Sequence, residues 1–261
     1  AMGRGSKGGR TAKITFKHGP ELRWMTAGGG DKARAAYTAR SVFMTETDGF
    51  DTQASTSTET SKIGQIEARQ RAWKRHQRFT IKEGTLTTKT AHTWSRYCAG
   101  TCSVLHLPCP HCGEFGPLNR KDLHGWQSAT TDAEAEERSL FHCGACGESW
   151  TETERADANQ RAVLVHKGQS VVKGKIVGNR PNTRTLGFRW SAANNLLVSA
   201  GDIGSDEFEA ARAIDEDEAQ RKMCQFVWAV PYEPIENDGE DEVDAKQLSQ
   251  RMGEFARGEY P

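Results

Sequence analysis

Four cysteines carry the clearest chemistry in the chain. Cys109-Pro110-His111-Cys112 and Cys143-Gly144-Ala145-Cys146 are two C-x-x-C hooks, each followed by a glycine, Gly113 and Gly147. A gap of two residues lets both sulfurs of a hook reach one metal, while N–H groups in the turn stabilise thiolate charge. Two hooks then offer four soft ligands in a tetrahedron, the closed arrangement of structural zinc, with no position left open for a reacting water. The 30 residues between the hooks exceed the usual ribbon spacing. Closure cost grows only with the logarithm of length, so a polar insert over 128–138 is tolerable. His111 and His142 lie in and beside the hooks and are expected to point outward. Cys98 and Cys102 read as core or free thiols, and Cys224 as a core residue. The competing reading, two redox or coincidental pairs, fits poorly with two hooks that each close on glycine.

A second candidate is the apolar run over 41–44, followed by Glu46 and Asp48. Acids at the C-terminal end of a buried strand can face phosphates and their magnesium ion. Acids after a strand are also ordinary turn residues, so the pattern alone does not assign a function. No G-x-x-x-x-G-K-[ST] phosphate loop occurs in the sequence. Gly5-Ser6-Lys7-Gly8-Gly9-Arg10-Thr11 lacks its spacing, its Lys-Ser/Thr pair and a preceding strand. These residues alone are therefore not expected to hydrolyse ATP.

Certain elements must position these groups. Strands are expected over 13–17 and 21–26 around a His18-Gly19-Pro20 turn, with a glycine loop at 27–30 and a short helix over 32–39. The strand at 41–44 follows, then a Ser/Thr-rich loop over 52–60, a helix over 62–76 and a strand at 78–81. Strand, helix, acid-tipped strand, helix, strand is the order of a parallel α/β sheet. Residues 161–190 read as extended hairpins. Helices are expected over 202–213, capped by Ser205 or Asp206, and over 215–227. Residues 231–244 have linker composition, and 246–257 suit an amphipathic helix.

Composition bounds the function classes. Lys plus Arg and Asp plus Glu number 35 each in 261 residues, so any nucleic-acid surface must be local. Nothing approaches the roughly 18 apolar residues of a membrane span. Seven cysteines without an export signal favour a reducing compartment, where paired cysteines hold metal more often than they form disulfides. The opening Ala-Met-Gly reads as an expression scar or an internal cut, and hence as a fragment.

In order, these elements resemble the lambda-type (GpA-like) large subunit of phage terminase. The resemblance is carried by Ile14-Thr-Phe-Lys-His-Gly-Pro-Glu-Leu22 and Lys32-Ala-Arg-Ala-Ala-Tyr-Thr-Ala-Arg40. It continues through Val42-Phe-Met-Thr-Glu-Thr-Asp-Gly-Phe50, Gly84-Thr-Leu-Thr-Thr88 and Leu107-Pro-Cys-Pro-His-Cys-Gly113. Leu186-Gly-Phe-Arg-Trp190, Phe226-Val-Trp-Ala-Val-Pro-Tyr-Glu-Pro234 and Gly258-Glu-Tyr-Pro261 complete it. Such proteins are DNA-packaging motors with an ATPase and a nuclease domain. The resemblance implies Glu46 as the water-polarising glutamate and Asp48 as a supporting acid. Thr45 would stand where the family has its magnesium-binding aspartate, offering a hydroxyl without charge. Gly84, Thr85 and Thr87 would belong to the motif that senses the γ-phosphate and couples hydrolysis to DNA movement.

The expected fold class is α/β: a partial parallel-sheet P-loop-type ATPase core with an inserted zinc ribbon and C-terminal helices. The expected division is an ATPase part over 1–103, a zinc ribbon over 104–155, hairpins and helices over 156–232, and a linker with a helix over 233–261. The cofactors implied are structural Zn2+, with ATP and Mg2+ in the full-length ATPase and endonuclease. The implied partners are double-stranded viral DNA, the small terminase subunit and the portal, in the host cytoplasm without a membrane, and homo-oligomerisation is compatible with the reading. Alternatives of another class are a zinc-ribbon nucleic-acid module, supported by basic, aromatic-bearing 69–78 and 167–189, and a structural zinc protein.

Overall fold

A computed structural model describes residues 6–10 (backbone only), 13–26, 37–50 and 60–234. The expectations for 27–36, 51–59 and 235–261 lie outside the described residues. These include most of the helix expected over 32–39, whose described end, 37–39, is not helical.

The chain folds as a mixed α/β protein with small sheets. Strands β1 (Ser6–Arg10), β2 (Lys13–Phe16) and β3 (Glu21–Arg23) form an antiparallel meander. The turn between β2 and β3 closes with the Phe16 N–H donating to Pro20 O at 2.9 Å. β4 (Ser41–Met44) and β5 (Phe79–Lys82) then pair in parallel, Ser41 opposite Phe79 and Met44 opposite Lys82. Helix α1 (Lys62–Ala68) crosses between them and buries Ile63 and Ile66 against Met44. Ser61 caps it, accepting the Gly64 N–H at 3.2 Å.

The helix expected over 62–76 is shorter than its pattern suggests. It stops at Ala68, and the chain continues through 3-10 turns at Arg69–Ala72 and Arg75–Gln77. Buried Gln70 gives the reason. Its amide donates to Arg40 O and Phe79 O, both at 3.0 Å, and accepts from Thr80 Oγ1 at 2.8 Å. A buried amide must be satisfied, and here it staples the starts of β4 and β5 together.

After helix α2 (His92–Ala99), strand β6 (Ser103–Pro108) is the centre of a second sheet. It lies between antiparallel β11 (Val163–Val165) and parallel β14 (Phe188–Arg189). Its far end pairs with β7 (Phe115–Gly116). A third sheet joins β8 (Leu123–His124), β9 (Leu140–His142) and β10 (Ser149–Trp150) antiparallel. A hairpin of β12 (Ser170–Val172) and β13 (Lys175–Val177) occupies the stretch expected to be extended. Of the partial parallel sheet expected from element order, the β4–β5 pair is present, but the strands over 13–26 form an antiparallel meander instead, and the other parallel pairing among the described residues is β6–β14.

The polar insert expected over 128–138 contains helix α3 (Asp132–Arg138), capped by Thr131. Helix α4 (Glu152–Gln160) follows β10, and α5 (Ala200–Ala210) and α6 (Glu216–Lys222) close the described chain. α5 begins earlier than expected. Ser199 is its cap, in a reciprocal pair with Asp202, instead of Ser205 or Asp206. α6 runs into a π-helical turn at Met223–Val227. Leu123, Phe141, Ile203, Met223 and Trp228 form the main core where these helices meet the third sheet.

Candidate functional site

The two cysteine hooks sit at the tips of two hairpins, β6–β7 and β9–β10, and both have the same backbone. The Gly113 N–H donates to Cys109 O at 3.0 Å and the Gly147 N–H to Cys143 O at 2.8 Å. Both glycines take a left-handed φ, +76° and +78°, which a side chain would strain. The His111 N–H points at Cys109 Sγ and the Ala145 N–H at Cys143 Sγ, each at 3.4 Å. The turns thus place donors on the sulfurs before any metal is considered.

All four sulfurs lie within 4.8 Å of one another. Cys109 and Cys146 are 3.8 Å apart, and Cys112 and Cys143 are 3.9 Å apart. A tetrahedron with zinc–sulfur bonds of about 2.3 Å has edges of about 3.8 Å. The donor set therefore fits one tetrahedral soft cation. Charge supports the fit. Desolvation opposes the Cys109 thiolate, but the Cys112 and His111 N–H groups and neighbouring thiols outweigh it and bring its pKa down to about 7. At Cys112 the Glu114 N–H favours the thiolate, yet desolvation and the other thiols push the pKa up to about 12. Four thiolates cannot share this space without a compensating cation.

His111 and His142 stay out of the cluster. His111 Nε2 lies 3.1 Å from Ser149 O, and His142 Nδ1 lies 3.0 Å from Gly147 O. Cys98 and Cys102 are partly buried free thiols. Cys224 is also only partly buried, in the wall of a cavity.

The second group of site residues converges at the C-terminal ends of β4 and β5. The pairing extends past the strands, the Glu83 N–H donating to Met44 O and the Thr47 N–H to Glu83 O. Glu46 therefore lies beside Gly84, where a Cβ would stand 3.1 Å from Glu46 Cα and from Thr47 N. Glu46 Oε2 accepts the Thr85 N–H at 3.3 Å. Asp48 bridges further: Oδ2 accepts from Thr87 Oγ1 at 3.0 Å, and Oδ1 accepts the Thr93 N–H at 2.8 Å. Thr45 is exposed at the strand tip. Glu46, Asp48, Thr45, Gly84, Thr85 and Thr87 thus gather at one edge, although up to 42 residues separate them in sequence.

Three partners escape the sequence reading. Buried Thr47 bonds Thr93 Oγ1 at 2.8 Å, which fixes α2 under the acids. Trp94, Tyr97 and Cys98, at helical spacing, were the available signal for α2. Lys82 Nζ meets His92 Nε2 at 3.0 Å and also pairs with Glu67. Burial first, then Lys82, holds His92 below its usual 6.5. Finally, the Tyr232 N–H donates to Thr87 O at 2.9 Å, tying the segment after the π-turn to the strand-end loop. No sequence signal foretells that contact.

The described residues form a mixed α/β protein with four clustered cysteines that could hold a metal ion and with acids at adjoining parallel strand ends. The chain belongs to the family described as phage terminase large subunit gpA, ATPase domain, which matches residues 6–163. No curated protein and no solved structure matches it. The matched residues include both the strand-end site and the four cysteines. Among the described residues, no helix is long and apolar enough to cross a membrane.

Proposed function

We propose that this chain forms the later part of the ATPase region of a DNA-packaging motor, with zinc as a structural clamp. The observation that carries the reading is the meeting of Glu46 and Asp48 with the 84–87 loop across β4 and β5. In this arrangement Glu46 polarises the attacking water and Asp48 holds the loop. Thr45, exposed at the tip of β4, would offer a hydroxyl but no charge to a magnesium ion bound there. The Tyr232 N–H bond to Thr87 O would link the γ-phosphate-facing loop to the segment after the π-turn. No G-x-x-x-x-G-K-[ST] phosphate loop occurs in these 261 residues, so this role needs phosphate-binding groups of another kind or from another segment. Double-stranded DNA and the portal are the partners this role requires.

The test is ATP hydrolysis by the complete large subunit carrying these residues. Glu46→Gln should lower kcat by about 100-fold or more while nucleotide binding is kept. An unchanged kcat would remove Glu46 from the chemistry. For the clamp, Cys109, Cys112, Cys143 and Cys146 hold one Zn2+ as a zinc ribbon. Metal analysis should find about one zinc per chain, and Cys143→Ser should release it and lower stability sharply. A metal-free, fully folded chain would contradict the clamp.

A further inference from the structure

Residues 158–201 contain seven Lys and Arg and no Asp or Glu, in a chain that balances 35 of each overall. Lys167, Lys173, Lys175, Arg180 and Arg184 are exposed or nearly so, and none forms an ion pair among the described residues. Most of this stretch lies beyond the family match, which ends at residue 163. Its last strand, β14, forms one wall of a cavity of about 520 Å³. That volume is in the range that takes a small ligand, roughly 300–1,000 Å³.

The cavity has an apolar wall, from Val104, Leu105, Leu118 and Val230, and a cationic and aromatic one. Arg120, Lys121 and Arg189 line it together with Trp190 and Trp228, and no acidic side chain does. The Arg120 charge is already matched, its guanidinium donating twice to buried Glu207 at 2.6 Å. Lys121 and Arg189 have no carboxylate partner among the described residues. Arg189 donates to the Trp228 and Ala229 carbonyls and also interacts with the Tyr97 side chain, while its Nε is buried without an acceptor. The buried, unpartnered Nε of Arg189 and the exposed, unpaired charge of Lys121 give the cavity mouth a positive potential that suits an anion.

The apolar part of the ligand follows from Trp190. It is 59% exposed and stacked on Phe188, itself 53% exposed, with centroids 5.4 Å apart. A purely apolar partner would leave Lys121 and Arg189 unanswered, whereas a plain anion would leave the rings in water. A base with an adjoining phosphate answers both. In a duplex both faces of each base are already stacked, so an open ring selects unpaired bases.

We propose that this cavity binds one nucleotide unit of a single strand, DNA on the strength of the packaging role proposed above, its base on Trp190 and its phosphate at Lys121 and Arg189. The strand continues over the acid-free surface of 158–201. This is a second site, apart from the strand ends of β4 and β5, and does not depend on ATP hydrolysis there.

The test is fluorescence anisotropy of labelled oligo(dT) with the zinc-loaded chain, alongside a duplex of equal length and free dTMP as competitor. Trp190→Ala should weaken oligo(dT) binding by about ten-fold or more, the loss of one base–aromatic stack, and Trp190→Phe should keep most of it. Lys121→Ala should lower the slope of log affinity against log salt by about 0.7. Both variants must retain zinc and cooperative unfolding. Displacement of the strand by micromolar dTMP would identify a free nucleotide as the source of the same chemistry. Failure of dTMP to compete would identify the strand. No oligo(dT) binding, equal binding of the duplex, or a folded Trp190→Ala with unchanged affinity overturns the proposal.

Discussion

Glu46 occupies the left-handed region at φ +52°, a conformation that costs a side-chain-bearing residue about 1 kcal/mol or more. Its carboxylate gains little in return within the fold, since it accepts one exposed N–H at 3.3 Å. Such strain without structural reward fits the role proposed for Glu46. Glu46→Gly should therefore leave the thermal midpoint unchanged or raise it, even as ATP hydrolysis by the complete subunit is lost. A clear drop in midpoint would show that the carboxylate serves the fold. Gly84 across the way should behave oppositely. Gly84→Ala brings a methyl to 3.1 Å from the Glu46 backbone and should cost about 1 kcal/mol or more in urea unfolding.

At the scale of elements, Arg155 on α4 is the fullest connection between the cysteine hairpins and the C-terminal helices. It is 1% exposed, pairs with Glu152, and donates to the carbonyls of Ala193 and Val198. Glu152 in turn accepts the Ala200 N–H at 2.8 Å, at the start of α5. Arg155→Met keeps the volume but strands two carbonyls, and should cost about 2–4 kcal/mol by chemical denaturation. A loss below 1 kcal/mol would mean that water reaches those carbonyls. α2 is tied to β5 by a titrating group instead. His92 is held below 6.5, so the unfolded chain takes up its proton first. Stability should therefore fall as pH drops below about 6.5, and His92→Gln should flatten that slope in thermal melts. Half-buried His106 is lowered too, mainly by desolvation, so part of the slope should remain.

The same elements show what the sequence makes legible. The β2–β3 turn, both strands of the parallel pair and the two cysteine hooks follow from local chemistry: a Gly-Pro turn, β-branched and aromatic runs, and a two-residue ligand gap. The end of α1 does not, because a buried amide at Gln70 overrides a helical pattern that continues to residue 76. The cap of α5 is equally ambiguous in sequence, because Ser205 and Asp206 are capping residue types as good as Ser199, and only the Ser199–Asp202 pairing decides between them. The site residues could be named from a family resemblance, but the Thr93 and Tyr232 contacts are long-range and have no local signature.

Across the whole molecule, β6 belongs to two structures at once. Its residues 103–106 pair with β11 and β14, and its residues 107–108 pair with β7 and lead into Cys109. Leu107, Cys109, Cys143 and Trp150 pack in one cluster, so the proposed zinc site and the second sheet share a core. In contrast, the β4–β5 pair has its own core of Met44, Ile63 and Ile66. A metal that holds the hooks should therefore stabilise the second sheet by mass action on folding while barely affecting the strand-end site. Chelation should make the amides of Leu105 and Leu107 exchange with solvent much faster, while those of Phe43 and Ile81 keep their protection. Refilling with Zn2+ should restore the slow exchange of β6. If β6 stays protected after the metal is gone, the cysteines are not the clamp that the sheet depends on. If β4 and β5 lose protection together with β6, the two cores unfold as one unit, and the clamp acts directly on the strand ends that hold Glu46.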